Sequence, residues 1–150
     1  MSAYRTRLGA PPQNLDDDPP LSVLMTRQLV GVTSDTDALV ALRLMARNGV
    51  RHLPVIDGTD CRGLVLERDL LAHIPASMAR FPAAPPLVTT FCRAAPVLRA
   101  TDHRSTAAER MQATGVDAVL VTEGERLVGL VTATDLIRSL AEAAAPRPPG

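Results

Sequence analysis

Moved along itself by 66 residues, the 150-residue chain meets its own pattern again without a gap. Between residues 23–74 and 89–140, 12 of 52 positions are identical. The identities cluster. Gly49-Val50 matches Gly115-Val116, Gly58 matches Gly124, Gly63-Leu64-Val65 matches Gly129-Leu130-Val131, and Asp69-Leu70 matches Asp135-Leu136. Shared composition scatters matches; it does not gather them around glycines with hydrophobic character kept between. Such a repeat restricts the fold strongly, because both halves must form the same unit. A unit of this size buries too little surface to stand by itself, so the two must share a core.

Each half reads as β-α-β-β-α. A short extended piece (residues 29–33, then 97–99) leads to helix N-cap candidates. These are Ser34-Asp35-Thr36-Asp37 in one half and Thr101-Asp102 in the other. Leu39, Leu42 and Met45/Ala46 recur at helical spacing and predict one buried face. Gly49 and Gly115 stand where a left-handed residue ends that helix. Strands follow over 51–56 and 117–122, turns at Asp57-Gly58 and Glu123-Gly124, and return strands over 62–66 and 127–132. A last helix is expected over 67–74 and over 133–143. The expected fold class is α/β, with two tandem units packed around a pseudo-twofold axis.

Residues 1–20 carry Pro11, Pro12, Pro19 and Pro20 with the run Asp16-Asp17-Asp18, which predicts a flexible tail. Residues 21–74 form the first unit. The stretch PASMARFPAAPP, Pro75 to Pro86, lacks backbone donors and predicts a linker. Residues 87–143 form the second unit, and 144–150 a C-terminal tail.

Composition narrows the function. All 16 basic residues are Arg; 16 Asp and Glu offset them, so the net charge is zero. That argues against a main task of gripping nucleic acid or an acidic membrane. Tyr4, Phe81 and Phe91 are the whole aromatic complement, too few for a base-stacking platform. No apolar run approaches the roughly 18 residues of a membrane span. No apolar stretch follows Arg5 and Arg7 as in a signal peptide, so a cytoplasmic protein is expected. Cys61 and Cys92 lack metal-ligand spacing and are expected as free thiols. No nucleophile–base pair, metal set or paired acid/base motif is present, so no catalytic or metal residue is assigned and no enzyme is expected.

The strings GVRHLPVID, GLVLERDLL and GLVTATDLI resemble the CBS-domain family (cystathionine-β-synthase domains). The likeness covers 21–74 and 87–141. It implies a tandem pair as the working unit: a regulatory module that binds AMP, ADP, ATP or S-adenosylmethionine in clefts between paired domains. It also implies a homodimer and an unidentified protein partner, with no required cofactor. The chain leaves no room for a fused enzyme or channel, so a stand-alone pair is expected.

The family's nucleotide signature is Gly-h-h-Thr/Ser-x-x-Asp, where h is apolar. It is intact as Gly129-Leu130-Val131-Thr132-Ala133-Thr134-Asp135. Gly129 lets backbone approach a ligand closely. Thr132 places a hydroxyl at a helix N-terminus, where an anion such as phosphate is favoured. Asp135 can accept two hydrogen bonds from a ribose diol. The resemblance assigns main-chain groups of Val116, Asp117, Ala118 and Val119 to the adenine edge. The same string also suits capping: Thr132 caps the helix and Asp135 complements it at the third position.

The first half reads Gly63-Leu64-Val65-Leu66-Glu67-Arg68-Asp69. Leu66 cannot donate to a phosphate, and Glu67 adds negative charge; Arg68 compensates in part. This first cleft, with Arg51, His52, Arg68 and Asp69 as secondary candidates, is expected to be empty or to take a less phosphorylated ligand. The competing reading is a ligand-independent interaction and dimerisation module.

Overall fold

The computed structural model describes residues 18–78 and 84–144. Residues 1–17 and 145–150 of the expected tails, and 79–83 of the expected linker, lie outside the described residues.

The first half holds α1 (Leu21–Leu24), α2 (Ala38–Asn48), β1 (His52–Asp57), β2 (Asp60–Leu66) and α3 (Glu67–Met78). After a 3₁₀ turn, Val88–Thr90, the second half holds β3 (Val97–Arg99), α4 (Arg104–Thr114), β4 (Ala118–Glu123), β5 (Arg126–Thr132) and α5 (Ala133–Ala144). β1 and β2 form an antiparallel hairpin; β4 and β5 form another, and β3 joins β4 in parallel. The repeat survives in detail. Gly58 and Gly124 turn the hairpins at φ 62° and 61°, and Gly49 and Gly115 end their helices at φ 64° and 69°. Both hairpins shift register at matched positions, Val55/Ile56 and Val121/Thr122.

The halves differ where single residues differ. The extended piece expected over 29–33 shrinks to one parallel bridge, Val32 with Val55. In the second half Leu120 N donates to Pro96 O and extends the ladder. The matching position in the first half is Pro54, which has no N–H to donate. Asp37 caps α2 as expected, accepting from Val40 N at 2.9 Å. The Thr101-Asp102 cap does not form on α4. Asp102 instead accepts from Arg99 N at 2.8 Å, and the N-cap residue is His103, whose side chain makes no cap bond.

The missing cap comes from far away. Asp18 accepts from Ser105 N at 2.8 Å and from Ser105 Oγ at 2.6 Å, 87 residues along the chain. Pro19 O accepts from Arg104 N, and Pro20 bridges to His103. Residues 18–20, assigned to a tail by composition, are therefore docked.

Two helix readings also change. The buried stripe of α2 is Ala38, Ala41 and Met45; Leu39 and Leu42 are half-buried and Ala46 is exposed. α3 runs through Pro75 to Met78, four residues into the expected linker. Pro75 forgoes one backbone bond, but its fixed φ is compatible with a helix.

Three apolar clusters hold the pair. The first-half core takes in Val88 and Phe91 from beyond the linker. The second-half core takes in Leu21 and Met25 from the chain's start. A third cluster, including Leu64, Leu66, Val116, Ala118, Leu120 and Leu130, joins the halves. Each lead-in thus packs into the opposite half, and each is bonded there. Thr26 and Leu130 exchange backbone bonds of 2.9 and 3.1 Å, and Arg93 and Leu64 exchange bonds of 2.8 and 2.9 Å. These contacts align Thr26 with Arg93, at an offset of 67. The gapless alignment, which sets Arg27 against Arg93, is one residue out of step along the lead-ins.

Candidate functional site

A cleft of about 430 Å³ opens where the β5–α5 junction of the second half faces the start of β1 of the first. One wall carries Thr132, Thr134, Asp135 and Arg138; the other carries Gly49, Val50, Arg51, His52 and Pro54. The first lead-in adds Thr26, Gln28, Leu29 and Val30.

Asp135 is buried, and its Oδ2 accepts from Thr132 N at 2.8 Å and from Thr132 Oγ1 at 3.2 Å. Both bonds run from Thr132 to the carboxylate, so Asp135 caps the start of α5 from its third position. The cap holds the carboxylate in place, while among the described residues Oδ1 has only Arg138 beside it, at 3.4 Å. Capping and ligand binding are thus compatible in one residue. Thr132 Oγ1 is committed to Asp135, so a ligand meets it as an acceptor or through an exchanged bond.

Sequence reasoning paired this signature with Val116–Val119 of its own half, and the structure does not. Val116 and Ala118 lie in the joining cluster and Val119 in the second-half core. Asp117 points its carboxylate at His52, whose Nε2 lies 2.8 Å from Asp117 Oδ1. Burial pushes the Asp117 carboxyl up, but the His52 hydrogen bond and charge, with Arg68 nearby, outweigh it and leave it below its usual value. The strand that faces Thr132 and Asp135 is the repeat counterpart, around 50–54. Arg51 and His52, assigned to the first cleft, therefore belong to this one. The His52 side chain is 10% exposed and pinned. Arg51 is exposed, with no side-chain partner among the described residues. Gly129 does not line the cleft. Its bare face is covered by Met25: an added Cβ would lie 2.6 Å from Met25 Sδ.

The matching cleft of the first half is occupied by its own side chains. Leu66, in the place of Thr132, is buried in the joining cluster. Asp69 receives Arg93 Nε at 2.6 Å and Arg93 Nη2 at 2.8 Å, and this pairing lowers the Asp69 pKa. Arg68 Nη2 donates to Gly115 O at 3.1 Å. Sequence reasoning missed Arg93 because the gapless alignment hid its counterpart, Thr26. It also missed Arg138, although the spacing of one helical turn from Asp135 was available. Arg104 donates to the buried Ser139 Oγ at 2.8 Å. Cys61 is exposed and Cys92 half-buried, both unbridged; burial, then the nearby Cys61, raises the Cys92 pKa. Among the described residues, no His/Cys/Asp/Glu group can hold a metal ion, and no helix is long and apolar enough to cross a membrane.

Two like units that exchange their lead-ins and build a cleft from both halves define a paired-domain α/β module. The sequence model of the CBS domain matches residues 21–76 and 88–142, and the chain belongs to the CBS domain family as a tandem pair. The fold is similar to that of CBSX2 in complex with AMP: TM-score 0.70, 24% identity, 84% of this chain and 98% of that one. It is similar to the CBS domain pair of the protein MJ0100 in complex with 5′-methylthioadenosine and S-adenosyl-L-methionine: TM-score 0.73, 15% identity, 83% and 98%. At these identities the likeness shows the fold. An uncharacterized 17.7 kDa protein of Acidianus ambivalens is 45% identical over 58 residues, 38% of this chain and 35% of that protein. The chain spans less than half the length of the curated relatives it matches.

Proposed function

We propose that the chain is a regulatory module that takes an adenosine-containing ligand in the cleft between Asp135 and Arg51 and signals to a protein partner. One observation carries the reading: the signature occurs twice, and at the copy with its Thr intact Asp135 borders a cleft lined from both halves, whereas at the other copy Asp69 is paired with Arg93. The lining suits the three parts of such a ligand. Leu29, Val30, Val50 and Pro54 offer apolar surface for a purine, Asp135 Oδ1 an acceptor for a ribose diol, and Arg51 and Arg138 cations for a phosphate. The fold neighbours crystallised with AMP and with S-adenosyl-L-methionine support the ligand class.

The cleft draws on both halves and on a lead-in, so a bound ligand ties all three together. Regulation follows if the tied arrangement is the one a partner recognises. Leu71 on α3 and Ile137 and Leu140 on α5 are exposed and supply apolar surface for a homodimer. The same reading places the protein in the cytoplasm, without catalysis and without a required cofactor.

A thermal-shift and calorimetry panel of AMP, ADP, ATP, S-adenosylmethionine and NAD tests this. A ligand at 100 times its Kd stabilises by about 2.7 kcal/mol. That shift should appear in the wild type and vanish in Asp135→Ala. No shift with any of them, in a folded protein freed of carried-over nucleotide, sinks the sensor reading. It leaves the ligand-independent interaction module, which the self-occupied first cleft already favours.

A further inference from the structure

We infer that the second possible ligand cleft of this pair is closed by the chain's own arginines, so that each chain takes one ligand; the number of ligands rests on the function proposed above. The lead-in contacts give the comparison residue by residue. The open cleft has Thr26 and Thr134 where the closed one has Arg93 and Arg68. Arg93 makes a two-pronged pair with Asp69, at 2.6 and 2.8 Å, and so supplies the two donors that a diol would bring. Its backbone is fixed to Leu64 by two hydrogen bonds, so little chain ordering is needed to hold it there. A ligand would have to break that pair only to restore the same number of bonds.

The other end is closed as well. Leu66 offers no hydroxyl, Glu67 repels a phosphate, and Arg68 is committed to the Gly115 carbonyl, which draws the opposite half across the gap. The space that remains beside Asp69 is about 450 Å³ and is lined by His73, Phe91, Cys92 and Arg93 with Pro86 and Thr90. None of residues 115–118 borders it, so it is not the counterpart of the open cleft.

Calorimetric titration with AMP, ADP, ATP and S-adenosylmethionine counts the sites. One ligand per wild-type chain is expected. The triple variant Leu66→Thr, Arg68→Thr, Arg93→Thr should bind two. Two ligands per wild-type chain, or one per chain in a folded triple variant, overturns the inference. A ligand-free double-mutant cycle on Asp69→Asn and Arg93→Gln, followed by urea midpoint, decides the matter if the triple variant does not fold. Once Asp69 has changed, Arg93→Gln should move the midpoint much less; strictly additive shifts overturn the inference. If none of the four ligands binds, the proposed function fails by itself, and the cycle still reports whether Arg93 occupies Asp69.

Discussion

Gly63→Ala should unlatch the exchanged lead-in. The added Cβ would lie 2.2 Å from Arg93 O and 3.0 Å from Cys92 Sγ, at a backbone φ of +143°. The nearest atom is backbone, so no rotamer change relieves the contact. β2 and the lead-in must part by about 1 Å to reach ordinary contact, which breaks both Leu64–Arg93 bonds. Two lost bonds cost about 2 kcal/mol. The left-handed strain adds about 1–2 kcal/mol. Together they give about 3–4 kcal/mol, before any loosening of Val88 and Phe91 in the first-half core. Gly58→Ala is the control: φ is +62° and nothing lies within 4 Å, so strain alone applies, about 1 kcal/mol. The chain has no Trp, so urea and thermal unfolding are followed by far-ultraviolet circular dichroism. At about 2–4 °C per kcal/mol for a chain of this size, Gly63→Ala should lose about 6–16 °C and Gly58→Ala only a few. Gly129→Ala meets the flexible Met25 side chain and should fall between them. Equal losses for Gly63→Ala and Gly58→Ala would refute the argument that the lead-in is held at this glycine.

Asp18→Ala should destabilise the protein by about 1 kcal/mol, because α4 loses the side-chain cap that its own N-cap residue does not supply. Burial pushes the Asp18 carboxyl up, but its Ser105 bonds, with His103 and Arg104, hold it below 3.8. Its contribution is therefore full above that ordinary value and lost as pH falls through the lower folded value, so wild type and variant should converge in acid melts. Asp117→Asn frees His52 at the cleft wall and should weaken ligand binding about 2- to 5-fold by calorimetry, the range of a partly exposed ion pair. Arg51→Gln should weaken ATP binding about 5-fold at low salt, with less effect at high salt, and leave adenosine unchanged.

Short-range features were legible because their physics is short-range. Gly49, Gly58, Gly115 and Gly124 announce left-handed turns, Asp37 announces a cap, and the hairpins follow from residues a few places apart. Three features were hidden because they need distant partners. Asp18 caps a helix 87 residues on, and an acidic, proline-rich context reads locally as a tail. The lead-ins exchange halves, which hydrophobic periodicity cannot report. Their one-residue step lies in segments with few identities to expose it. One miss was readable: Pro54 stands where Leu120 N donates, so the first half could not repeat the parallel ladder. In the site, Thr132, Thr134 and Asp135 were placed together from local spacing. The strand opposite them was taken from the wrong half, because a repeat says that two units exist and not which wall of one faces which wall of the other.

That exchange changes what divergence between the halves can do. A substitution in one unit acts on one cleft through its β–α junction and on the other through its first strand. The first half has a signature weakened by Leu66, yet its strand supplies Arg51 and His52 to the cleft that stays open. The second half keeps the signature, yet its lead-in sends Arg93 to Asp69 in the other cleft. Neither half holds a complete site, and neither has a complete core, since Leu21 and Met25 serve the second and Val88 and Phe91 the first. A ligand bound as proposed would therefore draw on residues of both repeats, including the repeat whose own signature carries Leu66. The Gly49-Val50 and Gly115-Val116 identities have a local reason in both units: each glycine is the left-handed C-cap of its helix, and the valine leads the chain toward the next strand.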